Sequence, residues 1–285
     1  MWSSDKLIIN VALTGMVPTR QDTPFVPLTP DEIAADVQRC FNAGASIFHL
    51  HARDECGEPT FQMEQYAHII EAIRARCPGA GLILCASTSG RVHNTWEARS
   101  QVLDLVAPCK PAMASLTLGS MNFPKQASIN TPEMIVRLAQ RMAERGIVPE
   151  LEVFDMGMID YSRYLIDKKV LAPPFYYNLL LGSLGTLTAT PLNLAVLVNA
   201  LPAGATWAAT GIGRYQFPIN ALAVTMGGHV RVGLEDALYM DAAKRDLANN
   251  LRFVERIVHL ARAVGREPAT PDEARQLIGL PAEEC

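Results

Sequence analysis

Two histidines two residues apart, His49 and His51, close an apolar run that reads Ser46-Ile47-Phe48-His49-Leu50-His51-Ala52-Arg53-Asp54. In an extended strand, residues i and i+2 share a face. The two imidazoles can therefore aim at one point while Phe48 and Leu50 face the other way. Such a pair suits a transition metal, with zinc (Zn2+) the first expectation; the bland alternative is two hydrogen-bonded core histidines. Glu235, near the other end of the chain, is the natural third ligand. Two histidines and one carboxylate leave a coordination position for substrate or water, as catalytic zinc requires.

Arg231 and Asp236 flank that glutamate. An aspartate beside a metal is a candidate base, because the cation stabilises the charge formed as it takes a proton. The arginine offers a planar fork for a substrate carboxylate. Their plainer roles are a helix cap and a structural ion pair. Ser87-Thr88-Ser89-Gly90-Arg91 and the i, i+2 pair Ser115 and Thr117 can supply hydroxyl and backbone N–H donors to a carboxylate or oxyanion, although turn chemistry is the commoner use of such residues. Glu150 and Glu152 share one strand face, as supports for the site or as partners for a cation. His229, beside Gly227-Gly228, suits a local hydrogen bond, and His68, His93 and His259 show no ligand spacing.

The elements that must position these residues alternate regularly. Short β-rich runs cover 7–13, 47–51, 82–86, 112–116, 148–153, 175–178, 206–209 and 230–233. Helical patterns lie between them. Thr29-Pro30-Asp31-Glu32 and Thr131-Pro132-Glu133 combine a capping hydroxyl, a first-position proline and early acids, and Gly44 and Gly146 end those helices. Thr190-Pro191 opens another, and further patterns cover 64–76, 242–264 and 271–277. Eight alternations predict parallel βα units in a (β/α)8 TIM barrel, a single catalytic domain over 1–285. An open doubly wound sheet is the competitor, but no GxGxxG follows the first strand. Barrel active sites lie at the C-terminal strand ends, where the polar residues above cluster. Closure brings strand eight beside strand one and Glu235 toward the histidines.

The chain of 285 residues is 49% hydrophobic and 19% charged, ample for a large core. A net charge of −4, with its basic residues dispersed, gives no case for nucleic acid or an anionic membrane. No apolar run reaches the ~18 residues of a membrane span. The N-terminus lacks a secretory pattern. Six cysteines, Cys40, Cys56, Cys77, Cys85, Cys109 and Cys285, form no CxxC pair, which fits a reducing cytoplasm.

The combination of LTGMVPT, VPLTPDEIAADV, FHLHARD, STSGR, MASLTLGSMNF, PELEVFDMGM, GIGRYQFPIN and GGHVRVGLEDALY runs nearly end to end. With these motifs the chain resembles the β-keto acid cleavage enzymes, whose founding activity is 3-keto-5-aminohexanoate cleavage in lysine fermentation. The resemblance implies a (β/α)8 barrel, a zinc ion, a homotetramer, and a reaction of a β-keto acid with acetyl-CoA that gives acetoacetate and a new acyl-CoA. Matched motif by motif, the implied zinc ligands fall on His49, His51 and Glu235. The active-site Arg and Asp fall on Arg231 and Asp236, and the substrate-contacting positions on Ser87, Gly90, Ser115 and Thr117. One departure stands out. The lysine-fermentation enzyme carries a Glu after its first strand for the substrate's ammonium, whereas here the loop reads Thr14-Gly15-Met16-Val17-Pro18. A buried ammonium needs an anionic partner, so an uncharged or apolar β-keto acid is expected. The competing functions are another metal-dependent TIM-barrel hydrolase or a class II aldolase, separable by a requirement for acetyl-CoA. A non-catalytic zinc-stabilised protein would instead close its site with four protein ligands.

Overall fold

The computed structural model describes residues 5–281; the sixth cysteine, Cys285, lies outside the described residues. Eight strands form a closed parallel barrel: β1 (Ile9–Ala12), β2 (Ile47–Leu50), β3 (Ile83–Ala86), β4 (Met113–Thr117), β5 (Val148–Val153), β6 (Tyr176–Leu181), β7 (Thr206–Gly211) and β8 (His229–Val232). They pair in chain order, and β8 closes on β1 with Arg231 opposite Asn10. The predicted first strand divides in two. Ile9–Ala12 enters the barrel, while Lys6–Leu7 pairs with Glu267–Pro268 outside it. His51 lies one residue beyond β2, where Ala52–Arg53 turns away to pair with Pro59–Thr60.

The helices surround the barrel: α1 (Pro30–Ala43), α2 (Met63–Arg76), α3 (Trp96–Ser100), α4 (Pro132–Arg145), α5 (Met156–Asp167), α6 (Pro191–Ala200), α7 (Gln216–Thr225), α8 (Asn250–Ala263) and α9 (Pro271–Ile278). Thr29 accepts the Glu32 N–H, and the Glu32 carboxylate accepts the Thr29 N–H, so the first helix begins with a reciprocal cap. Thr131 and Thr190 cap α4 and α6 as their Thr-Pro signatures predict. The last long helix starts later than position 242. The Asp241 carboxylate accepts the N–H groups of Ala243, Arg245 and Asp246 and bends that stretch into a turn, and Asn249 supplies the cap. Among the described residues no helix is long and apolar enough to cross a membrane.

Side-chain alternation separates two cores. Phe48 and Leu50 join the layer between strands and helices. Ile47 belongs to a second cluster with Ile8, Ile83, Cys85, Met113, Val148, Tyr176 and Ala208, to which Ala274 and Ile278 of α9 contribute. Thr206 also donates a hydrogen bond to the Leu277 carbonyl at 3.0 Å. The barrel interior is thus apolar at its N-terminal end, and α9 covers it. The polar residues stand at the opposite end.

Candidate active site

β2 directs His49 into the barrel, and the turn after it brings His51 alongside. Their Nε2 atoms lie 3.2 Å apart, and Glu235 Oε2 lies 3.2 Å from His51 Nε2 and 3.9 Å from His49 Nε2. Both histidines are almost fully buried, while the Glu235 side chain is 19% exposed, toward the cavity. Glu235 reaches them because the β8–α8 connection folds back: its N–H donates to the Ala12 carbonyl at 3.2 Å. Gly15 permits this approach. Its φ of +67° suits glycine, and a Cβ there would stand 2.6 Å from Glu235 Cγ. Arg53, the arginine of the HLHARD run, donates to the carbonyls of Gly15, Pro18 and Gly57 and ties down the loop over this corner.

This donor set fits a tetrahedral cation. At metal–ligand distances near 2.1 Å, tetrahedral ligand atoms stand about 3.4 Å apart, close to the spacing observed. Glu235 Oε2 is a buried oxygen with no hydrogen bond of its own, which a metal would satisfy. His49 Nδ1 meets Glu150 Oε2 at 2.7 Å, so that nitrogen carries the proton and Nε2 keeps its lone pair for a metal. Burial works against charge on His49, but Glu150 and Glu235 outweigh it and raise its pKa; burial prevails at His51 and lowers it. Burial likewise opposes ionisation of Glu150 and Glu235. His49 and Arg231 nevertheless pull Glu150 down to about 2, and His51 with Arg231 holds Glu235 well below the usual carboxylate range. A second grouping of His49, Cys85 and Glu150 reads instead as hydrogen bonding, since Cys85 donates to Glu150 at 3.3 Å and burial keeps its thiol protonated.

Arg231 is the hub of the carboxylates. Its Nε and Nη2 grip Asp236 at 2.8 and 3.3 Å, Nη1 meets Glu152 at 3.0 Å, and Nη2 meets Glu235 at 3.1 Å. Its fork is therefore spent on protein, so the option of holding a substrate carboxylate gives way to positioning Asp236. Burial pushes Asp236 and Glu152 above the ordinary carboxylate range, against the pull of Arg231. Asp236 does not cap the following helix; that role falls to Asn249.

His49, His51, Ser87, Thr117, Arg231, Glu235 and Asp236 line one cavity of about 330 Å³. Met16, Val17, Phe123, Leu180 and Leu184 form apolar parts of its wall. Ser87 Oγ accepts the Ser89 N–H, and the Thr117 hydroxyl donates to Glu152 at 2.7 Å. Ser115 and Gly90 stand behind this wall. Ser115 Oγ accepts the Thr88 N–H at 3.1 Å, and Gly90 packs where a Cβ would be 2.3 Å from the Ile129 carbonyl and 2.7 Å from Arg99 Nη1. Both hold the β3 loop. His229 makes a long-range bond rather than the local one expected of it, accepting the Ile8 N–H at 3.0 Å across the closure of β8 on β1. Arg91 also lines the cavity. It carries no assignment from sequence, although a cation at a strand end, the signal that marks Arg231, marks it equally.

The sequence model of one family, described as beta-keto acid cleavage enzyme, matches residues 6–280. This chain belongs to that family. A β-keto acid cleavage enzyme relative from Fusobacterium nucleatum, named 3-keto-5-aminohexanoate cleavage enzyme, is 42% identical over 97% of this chain and 98% of its own length. A relative of the same name from Acetoanaerobium sticklandii is 39% identical, covering 97% of this chain and 99% of that one. A 3-oxoadipate:acetyl-CoA acetyltransferase from Cupriavidus necator is 35% identical, covering 97% and 96%. Among solved structures, a ternary complex of ObcA with a C4-CoA adduct and oxalate superposes with a TM-score of 0.80 at 21% identity, over 90% of this chain and 68% of that one, a likeness of fold.

Proposed function

We propose that this family member is a zinc-dependent acyltransferase of the β-keto acid:acetyl-CoA C-acetyltransferase type. It joins a β-keto acid to acetyl-CoA and releases acetoacetate and a new acyl-CoA. The convergence of His49 Nε2, His51 Nε2 and Glu235 Oε2 beside the Arg231-held Asp236 carries this reading. The names of the relatives, which pair keto acids with acetyl-CoA, support it.

Zinc held by these three ligands would supply Lewis acidity to a keto oxygen and its enolate. Asp236 takes the proton from the carbon between carboxylate and ketone. Its burial favours the protonated form that follows, and the Arg231 fork fixes its orientation. The resulting carbanion attacks the thioester carbonyl, and the thiolate of CoA leaves. The thiolate then adds to the original keto carbon, the bond between that carbon and the former carbanion breaks, the released carbanion takes the proton back from Asp236, and acetoacetate departs while CoA keeps the new acyl group. The hydroxyls of Ser87 and Thr117 hold the carboxylate and developing oxyanions, with Ser115 and the Gly90 segment keeping the loop in place. Because the Thr117 proton already serves Glu152, Ser87 is the better placed donor.

Met16 and Val17 stand in the cavity wall where an ammonium would need a carboxylate, so the substrate lacks an amino group at that place. The remaining expectations, a homotetramer and a cytoplasmic setting, belong to the same proposal. Leu192 and Val196, 72% and 43% exposed on α6, are available to an assembly contact, and the described cysteines are free thiols. Acetyl-CoA consumption measured with a panel of β-keto acids tests the function. Turnover of 3-keto-5-aminohexanoate in preference to unsubstituted β-keto acids would refute the substrate claim, and cleavage without acetyl-CoA would favour the hydrolase or aldolase reading.

A further inference from the structure

Two arginines face this cavity in opposite electrostatic situations. Arg231 is wrapped by Glu152, Glu235 and Asp236. Arg91, on the loop after β3, has no ion pair or side-chain hydrogen bond among the described residues, and its Nε is buried without a partner. Its guanidinium carbon lies 4.1 Å from the Phe123 ring centroid. Resting on an aromatic face fixes the plane of the group while leaving its in-plane N–H donors available to a planar acceptor. Glu235 acts on Arg91 only at longer range, and a partly buried cation with no ion-pair partner is costly unless a ligand provides one. No acid of the first-strand loop does so, since that loop presents Met16 and Val17.

We propose that Arg91 determines substrate specificity, and that the preferred substrate is a β-keto dicarboxylic acid whose second carboxylate pairs with this guanidinium. The inference rests on the cleavage reading above and replaces the apolar tail expected from the first-strand loop alone. Two other anionic groups fit less well. The carboxylate next to the reacting carbon belongs with the deeply buried His49, His51 and Ser87, whereas Arg91 is only half-buried. The diphosphate of CoA stands a whole pantetheine arm from its thioester, whereas Arg91 lies within electrostatic reach of Glu235.

The test is steady-state kinetics at saturating acetyl-CoA with two β-keto acids of equal chain length, one ending in a carboxylate and one in a methyl group. Wild-type enzyme should prefer the dicarboxylate by about 10- to 100-fold in kcat/KM. Arg91→Gln should reduce that preference by a similar factor, mainly through KM, and Arg91→Lys should retain part of it. Should the glutamine variant fail to fold, the wild-type preference and the lysine variant still decide. Three results would overturn the inference: no wild-type preference for the dicarboxylate, a proportional loss with both acids in Arg91→Gln, or an effect confined to the KM for acetyl-CoA. Turnover of monocarboxylic acids without that preference refutes this inference alone. Failure to consume acetyl-CoA with any keto acid refutes the cleavage reading itself.

Discussion

The two ends of the barrel obey different rules. At the N-terminal end, Ile8, Ile47, Ile83, Met113 and Val148 fill the interior, and α9 adds Ala274 and Ile278 over them. That end follows from apolar burial alone. At the C-terminal end, Glu150, Glu152, Glu235, Asp236, Arg231, His49 and His51 are gathered in one electrostatic network. Removing each such ion from water costs several kcal/mol, which paired geometry only partly repays. Glu235 Oε2, His51 Nδ1 and Arg91 Nε are left without hydrogen bonds. The contrast teaches that the lower half stabilises the fold, while the upper half keeps bonding capacity for what it binds.

Ligand removal should break the contrast most severely. His49→Ala or Glu235→Ala should abolish stoichiometric zinc and lower kcat/KM by at least about 1,000-fold, read by metal analysis and acetyl-CoA consumption. A variant that retained its zinc would remove that residue from the ligand set. Asp236→Asn separates metal holding from proton transfer: zinc content should stay intact while kcat falls by about 100- to 10,000-fold. A near-wild-type rate would eliminate Asp236 as the base. Glu150→Gln acts one step further out. Losing the carboxylate that fixes the His49 tautomer should weaken zinc binding by about 10- to 100-fold in chelator competition. Ile278→Val probes the opposite end. It should cost about 0.5–1.5 kcal/mol in denaturant unfolding, with zinc content unaltered. Loss of zinc in that variant would show that the two ends are not separable.

Much of this division is legible in the sequence. Period-two alternation at 47–51 places Ile47 and His49 inside and Phe48 and Leu50 outside, and the Thr-Pro caps mark helix starts to the residue. Strand count with barrel closure brings Glu235 to the histidines. Contacts across the barrel are less legible. Glu150 meets His49 over 101 residues of chain, and strand periodicity indicates which face a residue takes without naming its partner. The saturation of Arg231 by three carboxylates is hidden for the same reason. Loop residues are harder still. Gly90 packs against the Ile129 carbonyl and Arg99 while its neighbour Arg91 faces the cavity, because no repeat period governs side-chain direction in that loop.

The central claim is that the upper end transfers an acetyl unit from CoA to a carbanion made at Asp236. Supplying acetyl-CoA labelled in its acetyl carbons, together with an unlabelled β-keto acid, tests this most directly by mass spectrometry of the products. The account predicts label in the acetyl half of acetoacetate and none in the new acyl-CoA. Label recovered as free acetate, or keto-acid cleavage that proceeds without acetyl-CoA, would contradict it.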